Sequence, residues 1–94
     1  MITRLTITNT VWLHARPAAL FVNVAKSCQS LIQIRNVTKN GEWCNAKSIL
    51  GVLTLGVEKD HQIELKAEGP DEEQAIQSLS ALVSSNFEGA AWYD

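Results

Sequence analysis

Apolar and polar residues alternate from Thr3 to Thr8, with Thr3, Leu5 and Ile7 on one side and Arg4 and Thr6 on the other. This period of two predicts a strand with one buried face. From Pro17 to about Ser27 the period changes, and Ala18, Phe21, Val22 and Ala25 recur at helical spacing, which predicts an amphipathic helix lying on a sheet. Leu31 to Val37 is rich in β-branched residues, Asn40-Gly41 is a type I′ turn signal, and Glu42 to Asn45 is placed to return as a partner strand, so a β-hairpin is expected. Ala46 to Leu55 is too apolar for a free loop and predicts a short helix with Ser48 as its N-cap. Gln62 to Glu68 alternates again, with Ile63, Leu65 and Ala67 inward, and Gly69-Pro70 ends this fourth strand. Asp71 and Gln74 make a capping-box-like pair before a last helix with the stripe Ala75, Ile76, Leu79, Leu82 and Val83.

The order βαββαβα, with alternating strands and single-striped helices, implies an α+β domain. Its expected form is a two-layer open-faced sandwich, a four-stranded antiparallel sheet covered on one face by three helices. Ninety-four residues make one domain, residues 1–94, with 89–94 as a loose tail. No run of apolar residues approaches the roughly 18 that a membrane helix needs. The segment after Met1 has no leader pattern, so a cytoplasmic protein without membrane insertion is expected. The net charge of −2 is spread along the chain, which argues against a nucleic-acid partner. Cys28 and Cys44 lack CxxC spacing and read as reduced, small apolar side chains. No residues have metal-ligand spacing, and no cofactor or metal is expected. His61, ahead of a strand and without a phosphate cradle, reads as a surface residue, as does Trp43 on the hairpin, and Trp92 reads as a tail residue.

The chemistry concentrates in Leu13-His14-Ala15-Arg16-Pro17-Ala18-Ala19. Proline suits the first helical turn, where its missing N–H has no acceptor to lose. His14 is therefore expected at a helix mouth, where unpaired amides, here those of Ala15 and Arg16, and the positive end of the helix dipole favour an anion. A phosphoryl group on the imidazole would meet those donors, and Arg16 would add a guanidinium. An imidazole with an ordinary pKa of about 6.5 is a neutral nucleophile near neutral pH. Ala19, Leu20, Ile49, Leu50 and Leu53 are expected to form an apolar docking patch beside it, the alternative being that most of them are core.

Taken together, Ile7-Thr8-Asn9, Leu13-His14-Ala15-Arg16-Pro17-Ala18, Lys47-Ser48-Ile49 with Gly51, Leu55-Gly56, and Ala67-Glu68-Gly69 through Glu72, Glu73 and Ala75 resemble one family. That family is HPr, the histidine-containing phosphocarrier of the phosphoenolpyruvate-dependent sugar phosphotransferase system, and the resemblance spans nearly the whole chain. It implies a monomeric carrier, not a turnover enzyme, whose His14 takes a phosphoryl group on Nδ1 from enzyme I and passes it to EIIA or EIIB components. It implies Arg16 as the electrostatic companion and Ser48 as the site of an HPr kinase/phosphorylase. A phosphate at Ser48 would place about two negative charges beside Ile49 and Leu50 and so block a partner. A purely regulatory reading, in which phosphorylated Ser48 drives binding to a transcriptional regulator, is the alternative. Trp12 stands where the family usually has glycine, and the hairpin is longer than in typical sugar-system members. Together with Arg35-Asn36 and Gly69-Pro70, that length is similar to the nitrogen-related paralogue NPr, so both the sugar and the nitrogen relay stay open.

Overall fold

The computed structural model describes residues 1–8 and 15–85, the side chains of Ala15 and Arg16 excepted. Its elements are β1 (Ile2–Thr6), α1 (Ala15–Ser27), β2 (Leu31–Asn36), β3 (Cys44–Asn45), α2 (Ile49–Leu53), β4 (Gln62–Glu68) and α3 (Glu72–Ser84). The strands form one sheet in the order β1-β4-β2-β3, with every neighbouring pair antiparallel. The period of two decides the layers. Ile32, Ile34, Ile63, Leu65 and Ala67 are fully buried on one face, under Ala18, Phe21, Val22 and Ala25 of α1, Val52 of α2, and Ala75 and Leu79 of α3. The opposite face carries a charge ladder: Glu64 of β4 accepts from Arg4 of β1 at 3.0 Å and from Arg35 of β2 at 2.7 Å. Trp43 lies beside the same ladder, its ring centre 5.4 Å from the Arg35 guanidinium and 4.8 Å from Lys66 Nζ, within cation–π range. It is a hairpin residue, as expected, but half-buried rather than a free surface side chain.

Register decides which segments meet. Thr6 pairs with Gln62 and Asn36 with Ile63, so the exit of β1, the entry to β4 and the β2–β3 turn lie at one end of the sheet. The other end holds Ile2, Glu68 and Leu31. Because α1 starts after β1 leaves the first end and stops shortly before β2 begins at the second, its N-terminus belongs to the first end. The loop from α2 to β4 arrives there too. Ile7 N donates to His61 O at 2.8 Å and Asp60 N donates to Ile7 O, fastening the exit of β1 to that loop.

Three local expectations are corrected. The hairpin is not a type I′ turn, which needs two successive positive φ values, since only Asn40 of the Asn40-Gly41 pair has one, at 53°. The chain instead winds around the buried Asn36, which accepts from Lys39 N at Oδ1 (3.2 Å) and from Gly41 N at its carbonyl (2.9 Å). The return strand is accordingly only Cys44–Asn45. Second, the helix foreseen over Ala46 to Leu55 is confined to Ile49–Leu53, because Ala46 N still extends the sheet by donating to Ile32 O at 3.0 Å.

Third, Asp71 occupies the N-cap position of α3 but makes no side-chain cap bond, and Gln74 bonds to Ser78 instead. The Asp71 carboxylate accepts from Gln29 N and Ser30 N, each at 2.8 Å, and from the Ser30 hydroxyl. Gly69 makes this approach possible: it has φ +152°, and a Cβ there would stand 2.7 Å from Ser30 Cα. The Ser30 hydroxyl and then the Gln29 amide hold the Asp71 carboxyl below its ordinary 3.8. Hydrogen bonds from Arg35 and then Arg4 likewise lower Glu64. A carboxyl lowered in the folded state stabilises the fold above its unfolded value and ceases to do so as pH falls through the folded value. Urea midpoints are therefore expected to decline from about pH 4 downward, and Asp71→Asn is expected to be less stable at pH 7 and to decline less steeply. A parallel decline in the two proteins would show that Asp71 does not carry this dependence.

Candidate functional site

Helix α1 opens at Ala15, the residue after His14 in the sequence, so its first turn contains Ala15, Arg16 and Pro17. The amides of Ala15 and Arg16 are among the first N–H groups of a helix, which have no intrahelical acceptor. No acidic side chain lies in that first turn, so nothing on α1 itself neutralises its positive end. His14 and the side chain of Arg16 lie outside the described residues. Trp12, Trp92 and the tail from 89 to 94 do as well.

The buried face of α1 holds this terminus in place. Pro17, Ala18, Phe21, Val22 and Ala25 are all buried. At the far end of the helix, Lys47 Nζ donates to Cys28 O at 2.8 Å, so the residue before Ser48 ties the start of the α2 segment to the end of α1. Ser48 is the N-cap of α2, as its position suggests: its φ and ψ are −113° and 119°, and its hydroxyl accepts from Gly51 N at 3.1 Å. Ser48 itself is half-buried, so the oxygen that would carry a phosphate is already the cap acceptor.

Three of the five residues expected to form an apolar patch lie outside the core. Ile49, Leu50 and Leu53 are 42%, 73% and 41% exposed, whereas Val52 alone of α2 is buried. Ala19 and Leu20, on α1, are half-buried. Helix α2 thus turns one residue into the core and three large aliphatic side chains outward, next to the helix that begins after His14. Three such side chains on a five-residue helix are unusual for a surface with no partner.

His61 departs from its expected place. Only 17% of its side chain is accessible. Its Nδ1 accepts from Glu58 N at 3.1 Å and meets Asn36 Nδ2 at 3.2 Å. Sequence reasoning missed this because the partner is an asparagine in the next-door strand, and nothing near position 61 signals it. Cys28 and Cys44 are both free and partly buried against the core, in keeping with their reading as small apolar side chains. Among the described residues no helix is long and apolar enough to cross a membrane.

Comparisons with known proteins agree with this architecture. The family model described as the PTS HPr component phosphorylation site matches residues 2–85. A multiphosphoryl transfer protein of Vibrio cholerae is 43% identical over 81 residues, which is 86% of this chain and 20% of that protein. The chain therefore spans about a fifth of the length of that curated relative. Among solved structures, HPr-C-His from Thermoanaerobacter tengcongensis is similar with a TM-score of 0.85 and 42% identity, over 96% of this chain and 98% of that one. Crh, the catabolite repression protein of Bacillus subtilis, crystallised as a swapped dimer, is similar with a TM-score of 0.66 and 38% identity, over 88% and 87% of the two chains.

Proposed function

This chain belongs to the HPr family, and from that premise we propose that it carries a phosphoryl group on His14 between enzyme I and EIIA or EIIB components of a phosphotransferase system. The observation that carries the reading is the opening of α1 directly after position 14 with no acidic residue in its first turn. In that arrangement the imidazole attacks the phosphorus of the donor's phosphohistidine. The new N–P bond forms as the donor's breaks, and the same exchange runs onward to the acceptor. Transfer of this kind needs alignment and charge stabilisation rather than a separate catalytic base. The Ala15 and Arg16 amides and the Arg16 guanidinium are the groups placed to supply it.

The reading accounts for the exposed side chains of α2 as a docking surface that serves successive partners. A carrier of this type acts in the cytoplasm, as a monomer, and turns over no substrate of its own. Ser48 is its regulatory position: a kinase that transfers phosphate there replaces a cap acceptor by a dianion beside Leu50, which opposes apolar docking. A regulatory role in which Ser48 dominates is the second reading, favoured by the similarity to Crh.

The test is to incubate the protein with enzyme I and labelled phosphoenolpyruvate and to follow the label through acid. Stoichiometric, acid-labile label is expected. Label that is acid-stable and appears only with ATP and a kinase would replace this reading with the regulatory one. Leu50→Asp is expected to raise the KM for phosphorylation by enzyme I about tenfold, since interface anchors commonly contribute more than about 1 kcal/mol. Its melting temperature should not move, because Leu50 is 73% exposed; an unchanged KM would remove α2 from the docking surface.

A further inference from the structure

We infer that Lys39 is a specificity-determining residue of the docking surface, its ammonium pairing with a carboxylate at the rim of the apolar site where enzyme I receives α2. The inference rests on the phosphocarrier reading. From Ser48 to Val57 the sequence carries no charged residue. Lys47, just before that stretch, is already engaged, its Nζ donating to Cys28 O at 2.8 Å. Helix α2 therefore offers a partner the exposed side chains of Ile49, Leu50 and Leu53 and no charge of its own. Apolar contact holds two surfaces together without fixing their register, because the hydrophobic effect is non-directional. A charge at a fixed place beside the contact supplies register and selects among partners.

Lys39 is that charge. It stands in the turn between β2 and β3, and two contacts bring it to the end of α2. Its amide donates to Asn36 Oδ1 at 3.2 Å, and Nδ2 of the same buried Asn36 donates to Leu55 O at 3.2 Å. One side chain thus ties the base of Lys39 to the segment just past α2. The lysine side chain then lies along Gly56: a Cβ there would stand 2.6 Å from Lys39 Nζ, 3.6 Å from Cε and 3.9 Å from Cδ. Gly56 has φ 62°, so glycine at this position provides both the left-handed turn and the room for the ammonium. Among the described residues the ion pairs join Met1 to Glu72, Arg4 and Arg35 to Glu64, and His61 to Glu58. The exposed Lys39 ammonium has no carboxylate among them. A cation already packed in place loses less side-chain entropy on pairing than a free lysine does. Its sign fixes the charge of the partner's group, and its place past Leu53 puts that carboxylate at the edge of the apolar contact.

The test is steady-state phosphorylation by enzyme I at about 0.05 M and about 0.5 M salt. At the lower salt Lys39→Gln is expected to raise KM about fivefold and Lys39→Glu about twentyfold, with kcat within about twofold, whereas Lys39→Arg keeps KM within about twofold. At the higher salt, where the screening length is about 4 Å, wild type and Lys39→Gln should agree within about twofold. Lys59→Gln removes an exposed lysine from the loop between α2 and β4; its KM should equal that of wild type, which controls for net charge. An unchanged KM for Lys39→Gln at low salt overturns the inference. An increase that persists undiminished at high salt does so too, since it marks a structural loss, and so does an equal increase in Lys59→Gln. Absence of label on the wild-type protein would instead overturn the phosphocarrier reading on which the inference rests.

Discussion

His14→Ala is expected to take up less than about a thousandth of the acid-labile label that the wild-type protein accepts from enzyme I, while its melting temperature stays within a few degrees. The reasoning is chemical. Removing the nucleophile of a covalent relay leaves no group to form the phosphoramidate, so the loss is not a graded weakening of transition-state contacts. The chain has two histidines, and the second cannot substitute. His61 Nδ1 is occupied by the Asn36 and Glu58 donors, and the ring is largely buried. Position 14 precedes α1 in the sequence, and the substitution leaves the buried stripe of Ala18, Phe21, Val22 and Ala25 unchanged, so the fold is expected to persist. Arg16→Lys should be milder, about tenfold, because a compact ammonium keeps the charge but loses the planar fork. Phosphorylation by enzyme I with mass measurement of the intact protein decides the matter. Acid-labile phosphate on His14→Ala would mean that the phosphoryl group travels on another residue.

The largest structural effect is expected from Phe21→Ala. Phe21 is among the largest fully buried side chains and lies in the core over the sheet. Truncating a buried phenylalanine to alanine costs about 3–5 kcal/mol, through the lost transfer energy and the cavity left behind. A domain of this size commonly has a total stability of about 5–15 kcal/mol. The melting temperature should therefore fall by roughly 15–25 °C, and chemical denaturation should report the loss directly. Leu20→Ala, one position earlier and half-buried, should cost less than about 2 kcal/mol by the same area argument. The contrast matters for function because Phe21 fixes the helix that carries the Ala15 and Arg16 amides. A Phe21→Ala loss no larger than that of Leu20→Ala would show that α1 is not anchored through this side chain.

Element types were legible in the sequence wherever one periodicity ran unopposed. Ile63, Leu65 and Ala67 announced β4, and Ala75, Ile76 and Leu79 announced α3, because the face that must be buried imposes its spacing on the residues. The exposed apolar face of α2 was half legible. Ile49, Leu50 and Leu53 were visible as apolar, but a helix of five residues has too few turns for periodicity to tell which side faces inward. The register of Ala46 against Ile32 and the burial of Val52 settle it. Two departures share one origin: the His61 ring and the Asp71 carboxylate are each taken by a partner distant in sequence, Asn36 and Ser30 respectively. The Asn40-Gly41 turn is instead reshaped by Asn36, only a few residues before it. Buried donors and acceptors must be paired somewhere, and a side chain in the next strand satisfies that need as well as a neighbour does.

The chain by itself determined the alternation of strands and helices, the buried faces and the identity of the candidate phosphoryl acceptor, since these depend on residue type and spacing over a few turns. Only the tertiary structure decided which ends meet and what holds them. The antiparallel register gathers the exit of β1, the start of α1 and the His61 turn at one end of the sheet. Such convergence depends on hydrogen bonds between residues tens of positions apart, and local patterning carries no record of pairs at that distance.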